Sequence, residues 1–484
     1  MTRKNLTQAL LAGLAGTAGL IGSSAAVNIN PDGLGQVLIY PYYTVRENQF
    51  TTMSVVNTTD RTKAVKVRFL EGKASQEVLD FNLYLSPFDV WTGFVVAEGD
   101  DPTGAEGGRL FSNDNSCTVP AIPVGGQPFL TFAYAGDEVE DDSMNRGSEG
   151  YIEVIEMGDI ENAEIEGWIK HDSDGVPANC AGVRNLWRPS NPTGAWFADA
   201  GQDGVTTADT VAGQGGLFGG ASVVNGPAGT IAQYTATAID GFSTSVLHYR
   251  PGNTLPSLVE AQQNGILFDN GVLINGIFDS GIDAVSGVLT LDSVINEYVI
   301  EQEIAGATDW VFTFPTKRSY VGTDGVMNRP FMGTLGPNGA CQSISIAYWD
   351  REEQEPFTPP GEINFSPEPP PDTPDPLNLC WEVSVLQFND DGEIGKGVFG
   401  SQNASAVGVE FENGWAQVGF PRSATTDRYT LQFENADDGQ DYLIEGLPVV
   451  GFAAYQAVNG DVGGALANYT GLFNHRGTRS VTQS

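Results

Sequence analysis

Apolar and polar residues alternate through the first part of the chain. In Lys63 to Leu70, Val65, Val67 and Phe69 fall on one face and Lys66 and Arg68 on the other, the period of a half-buried strand. Leu79, Phe81, Leu83 and Leu85 repeat the pattern, with Asp80, Asn82 and Tyr84 facing out. Polar breaks at Asn57-Thr58-Thr59-Asp60 and Glu71-Gly72-Lys73 have the chemistry that turns one strand back on the next. Further strands are expected at Pro128 to Ala135, Gly150 to Met157, Asp309 to Pro315, Cys341 to Trp349 and Cys380 to Leu386. Four more follow at Ala406 to Phe411, Trp415 to Phe420, Tyr429 to Phe433 and Val449 to Val458. Short strands arriving every ten or so residues predict an all-β fold with minor α content, built as antiparallel sandwich-like domains with long loops. The segment Asp283 to Glu303 has helical spacing but is rich in β-branched residues, so a helix and a pair of strands are both open there.

The chain divides by composition. Residues 1–26 read as a signal peptide: basic Arg3 and Lys4, an apolar run from Ala9 to Ile21 broken by glycines, and Ser24-Ala25-Ala26 as a cleavage site. Residues 27–200 are expected to form an N-terminal β-sandwich-like domain. Residues 201–340 form a glycine-rich β region that accommodates a short helix, and 341–484 a C-terminal β region carrying a proline-rich loop at 352–375. No later run reaches the length of a transmembrane helix, so the mature chain is expected to be soluble and secreted, cell-surface or periplasmic.

Charge narrows the partners. The formal charge is −38, and cleavage of the leader removes two bases and no acid, taking it to −40. Nucleic acid is excluded as a partner on that ground. An acidic coat either solubilises or collects divalent cations such as calcium. Four cysteines in an exported chain imply two disulfides, with three pairings open. The local choice joins Cys117 to Cys180 and Cys341 to Cys380. If strands began at Cys341 and Cys380 and formed a simple hairpin, those two could not meet, so their bridge would need parallel neighbours or a link between sheets. Zinc is disfavoured, with no Cys-x-x-Cys and three histidines.

Candidate sites are few. The loop NLWRPSNPTGAWF at 185–197 carries Trp187, Arg188 and Trp196, whose rings either stack on sugar or plug the edge of a core; large aromatics more often do the second. Arg61, Lys63, Lys66, Arg68 and Lys73 cluster in a very acidic chain. That face either meets an anionic surface polymer or another copy, or guards exposed strands against foreign pairing. Asp172 and Asp174, and Asn389, Asp390 and Asp391, crowd oxygen ligands around glycine turns and are candidate calcium ligands, although plain turns share the same composition. Glu153 and Glu156 lie on opposite faces of one strand and cannot act as a catalytic pair within it. No Gly-x-Ser-x-Gly elbow, phosphate loop or His-Glu-x-x-His helix occurs, and His248 has no visible partner.

The segments GQVLIYPYYT (35–44), SVVNTT (54–59), VKVRFLEG (65–72), LDFNLYLSPFDVW (79–91), NDNSCTVPAIP (113–123), GYIEVIEMG (150–158) and FPTKR (314–318) together resemble a family of exported proteins from Gram-negative bacteria. The resemblance implies origin and export and carries over no catalytic residue. The expectation is an exported structural or binding protein, non-catalytic, acting through sheet surfaces and loops in self-assembly or polysaccharide contact. A secreted carbohydrate-active enzyme with paired carboxylates is one alternative, and a periplasmic ligand-binding module with an apolar pocket another.

Overall fold

The computed structural model describes residues 26–201, 204–322, 329–356, 377–395, 397–421 and 429–484. Residues 1–25 of the expected signal peptide and 357–375 of the proline-rich loop lie outside the described residues.

The expected antiparallel β architecture is present as stacked sheets. An eight-stranded sheet runs in the order Asn28–Ile29, Thr237–Asp240, Val37–Thr44, Glu149–Ile160, Thr62–Glu71, Glu77–Leu85 and Cys117–Val119, with Thr210–Val211 added against Glu149–Ile160. A six-stranded sheet runs Thr230–Thr235, Leu217–Asn225, Gln49–Asn57, Val90–Ala97, Gly108–Phe111 and Gln127–Pro128. Thr62–Glu71 and Glu77–Leu85 do fold back on each other, but Val37–Thr44 and Gln49–Asn57 go to different sheets. The second half adds a five-stranded sheet centred on Gly306–Thr313, between Val383–Asn389 and Val450–Val462, and a four-stranded sheet of Ser345–Asp350, Asn413–Gly419, Ser293–Val299 and Arg476–Thr478. Strand pairing crosses both 200/201 and 340/341: Leu217–Asn225 pairs with Gln49–Asn57, and Gly306–Thr313 with Val383–Asn389.

The central strands are buried on both faces. All of Val37–Thr44, Thr62–Glu71 and Glu149–Ile160 are buried, whereas the sequence pattern predicted one wet face for the second of these. In the second half, Trp310, Phe312, Leu386 and Phe388 pack with Val294, Tyr298, Ala416 and Val418 of the four-stranded sheet. On the opposite face of the same five-stranded sheet, Val311, Val383, Val385 and Phe452 join the core of the first half. Thr313 donates its hydroxyl to the Pro41 carbonyl across that junction.

Three local expectations change. Pro128 to Ala135 is not a strand: Gln127–Pro128 pairs briefly and Phe132–Tyr134 forms a single 3-10 turn. The ambiguous segment is both elements in succession, a helix at Gly281–Leu289 capped by Ser280, then a strand at Ser293–Val299. The disulfides are Cys117–Cys180 and Cys341–Cys380. The second needs neither parallel strands nor a link between sheets. Gln342–Ser343 and Asn378–Leu379 form a two-residue antiparallel ladder with Cys341 just before it and Cys380 just after it, so the cysteines are opposed. The long strand begins only at Val383.

The glycine-rich tract supplies strands that lie very close to their neighbours. A Cβ on Gly219 would collide with the Tyr40 hydroxyl, which donates to the Ser54 carbonyl at 2.6 Å, and with that carbonyl itself. Gly219→Val is therefore expected to destabilise the fold by about 1–3 kcal/mol through overpacking, read as a lowered urea midpoint at unchanged slope.

Candidate functional site

The cluster of bases is not a surface. Lys63 and Lys66 are fully buried and Arg68 nearly so. Strand register sets Arg68 beside Glu153 and Lys63 beside Asp159. Arg68 bonds Glu153 at 2.6 Å and Glu77 at 2.8 Å. Lys66 bonds Asp80 at 2.9 Å and donates to the Asn253 carbonyl at 2.6 Å. Lys63 pairs with Asp159 at 2.9 Å and with Glu156. Burial opposes the charge on Arg68, yet Glu153 and Glu77 hold its pKa above the ordinary arginine value. Lys66 and Arg68, which on the sequence alone either meet a partner or guard exposed strands, are enclosed on one face of the sheet with Asp80, Glu77 and Glu153, and Lys63 is enclosed on the other face with Glu156 and Asp159, a buried ion-pair network in two clusters. Arg61 and Lys73 lie outside it, Arg61 in a loose 3.8 Å pair with Glu161 and Lys73 bonded to Asp141 at 2.9 Å.

The tryptophan loop closes over a histidine. Cys180–Leu186 and Ala195–Ala200 are short helices flanking the expected loop, and they carry Trp187 and Trp196 into the core. Trp196 lies 4.7 Å and Trp187 5.1 Å from the His248 ring, both edge-on. The Trp187 indole donates to the Tyr84 hydroxyl at 2.7 Å, and the Trp196 indole to Asp209 at 3.0 Å. His248 is not without partners: Tyr84 and Thr210 hydroxyls sit 2.9 and 3.0 Å from its two nitrogens. Burial pushes its imidazole down to about 3. The indoles plug the core edge, the second of the two readings, and only Arg188 is exposed, donating to Ser190 at 3.2 Å.

The acidic turns are held by their own hydrogen bonds. Asp172 accepts from the Asp174 and Val176 amides, and Asp174 is exposed. Asn389 accepts from the Gly392 amide and donates to the Glu393 carbonyl, Asp391 accepts from the Glu393 amide, and Asp390 accepts from Gln302. Among the described residues no cluster of three or more His, Cys, Asp or Glu side chains could hold a metal ion.

What the structure does offer is a groove of about 510 Å³ on the outer face of the six-stranded sheet. Register builds it in rows. Gln233, Ser222, Thr52 and Phe94 lie side by side across four strands, and Gly220, Ser54 and Thr92 form the next row. Phe94 stacks on Phe111 at 5.5 Å with an interplanar angle of 11° and closes one end. Asn113 also lines the groove, and no Asp, Glu, Lys or Arg does. Hydroxyls and amides can each donate and accept, and an aromatic wall adds a flat apolar surface. Such a lining can offer hydrogen bonds and a stacking surface to a neutral, hydroxyl-rich molecule. The sequence reading missed it because small polar residues at alternate strand positions look the same on any solvated face. A second omission is Trp349 with Trp415, cross-strand neighbours stacked at 4.1 Å, with Trp415 38% exposed.

No family model, curated protein or solved structure matches the chain.

Arg68→Met leaves Glu153 and Glu77 without their cation and is expected to cost about 3–5 kcal/mol, measured by chemical denaturation. His248 is held neutral in the fold, so its contribution is present above the unfolded value of about 6.5 and is lost as pH falls toward about 3. His248→Gln is expected to flatten that part of the acid limb when unfolding midpoints are compared between pH 7 and pH 4.

Proposed function

We propose that this chain is an exported, non-catalytic β-sandwich protein of the cell surface or extracellular space that holds neutral polysaccharide in the groove of its six-stranded sheet. The observation that carries this reading is an uncharged groove of hydroxyls, amides and one aromatic wall on a chain of net charge −38. Two disulfides support an oxidising compartment, as does the leader-like composition of residues 1–26. Among the described residues no helix is long and apolar enough to cross a membrane.

Self-assembly is the weaker reading, because Lys63, Lys66 and Arg68, the bases that could have met another copy, are consumed inside the sheet, and like-charged copies repel. Glycoside hydrolysis is weaker too. It calls for two facing carboxyl groups, and the groove lining contains none.

The test is affinity electrophoresis of the purified protein through neutral glucans and through an acidic polymer such as alginate. Retardation by a neutral glucan is expected, together with about tenfold weaker binding in a Phe94→Ala, Gln233→Ala double variant. Migration unchanged in every glycan, or binding indifferent to both substitutions, would overturn the reading, and release of reducing ends would replace it with an enzymatic one.

A further inference from the structure

A second cavity, of about 670 Å³, lies between the hairpin Asn264–Asp269/Val272–Ile277, the helix Gly281–Leu289 and the amino-terminal residues Ile29 and Pro31. Its volume is in the range of small-molecule sites. Its walls are mainly apolar, from Ile29, Ile266, Phe268, Val288 and Leu291, and Phe268 and Ile29 are 63% and 41% exposed. Arg479 is the one cationic side chain in the lining and Asp269 the one anionic.

Arg479 is fixed in place without being neutralised. Its Nε donates to the Thr290 carbonyl at 3.0 Å, Nη2 to Val288 at 2.6 Å and Nη1 to Phe268 at 3.2 Å. The carbonyls of Val288 and Thr290 belong to the end of the helix, where backbone acceptors have no intrahelical donor. A guanidinium has five N–H groups, so two remain after these three bonds. Among the described residues no carboxylate comes within ion-pair distance, in a chain with 61 acids. Asp269 acts on it only from farther away and accepts instead from Asn270 at 3.0 Å. Burial pulls Arg479 down to about 10, still well above neutral pH, so the cation persists. Elsewhere in the fold the buried bases Lys63, Arg68 and Arg146 each hold two acids.

We propose that this cavity binds a single-chain amphiphile ending in one carboxylate, a free fatty acid, with its tail against Phe268, Ile266 and Val288 and its head on the unused N–H groups of Arg479. Burying the tail removes apolar surface from water, and the carboxylate supplies the charge-assisted hydrogen bonds that the protein itself leaves unmade. The site is separate from the polysaccharide groove and does not depend on it. It also uses Ile29 and Pro31, which are held in place where Val27 exchanges backbone hydrogen bonds with the Asn264–Asp269 strand.

The experiment is titration calorimetry of the full chain at pH 8 with dodecanoate and with dodecanol. Saturable one-to-one binding of dodecanoate is expected, with dodecanol about tenfold weaker or more. Arg479→Gln should erase the preference for the carboxylate. Phe268→Glu places an anion at an exposed point of the mouth; it should abolish dodecanoate binding while leaving the thermal midpoint unchanged, and it decides the matter even if the first variant folds poorly. Absence of saturable dodecanoate binding, equal affinity for acid and alcohol in the wild-type chain, or dodecanoate binding untouched by Phe268→Glu would each overturn the proposal.

Discussion

A charged side chain enclosed by protein on every side is costly unless it is paired or hydrogen-bonded, and the strand Thr62–Glu71 carries four of them, Lys63, Lys66, Arg68 and Glu71. With both faces covered, Lys63, Lys66 and Arg68 are answered by carboxylates from the two strands that flank them, Glu77 and Asp80 on one side and Glu153, Glu156 and Asp159 on the other. The network therefore stitches three strands together by charge as well as by backbone hydrogen bonds. It also fixes their register. A slip of one residue would turn Lys66 and Arg68 to the face now occupied by Val65, Val67 and Phe69 and strand their acids. Replacing such a network with well-packed apolar side chains could leave stability intact, whereas removing one member could not, so its contribution is to uniqueness more than to net stability.

The same rule governs the junction between the two halves. The central strand of the five-stranded sheet, Gly306–Thr313, is also covered on both faces, and its buried Asp309 accepts from the amides of Val398 and Phe399. Burial nonetheless pushes that carboxyl up to about 7. Glu149 accepts from the Tyr42 hydroxyl on the first sandwich and from the Gln402 amide on the second. Tyr42, Phe399, Phe452 and Tyr234 continue this join as a run of ring contacts at 5.0 to 6.1 Å. The segment that follows Val383–Asn389 is thus clamped by polar and aromatic contacts together, and the two halves share a core.

Strand existence was legible in the sequence because a period of two survives whatever covers each face. What could not be read was which polar face meets water. Lys66 and Arg68 alternate with Val65, Val67 and Phe69 in the manner of a solvated strand, and only the distant segments 149–160 and 249–258 reveal that their face is enclosed. The tryptophans of 185–197 were legible as core plugs by size alone, but His248 beneath them was not, since Tyr84 and Thr210 lie far from it in sequence. The Cys341–Cys380 pair was one of the pairings left open, and its geometry was misjudged because the strand breaks after Leu379 and resumes at Val383. The uncharged groove left no signal at all: its rows exist only after four strands from two distant stretches are in register.

The acidic excess and the neutral groove also act on each other. Once four bases are enclosed with their acids, the charge presented to solvent is overwhelmingly negative, and an anionic polymer approaching the six-stranded sheet meets repulsion before it meets a hydroxyl. That repulsion reaches about 8–10 Å at physiological ionic strength and shrinks to about 3 Å at 1 M salt. The contacts inside the groove involve no ions and do not weaken with salt. In the proposed reading, affinity for a neutral chain would be set by the rows of Gln233, Ser222, Thr52 and Phe94, and rejection of an acidic chain by the coat around them. The two properties reside in different residues, so the coat can be altered without rebuilding the groove.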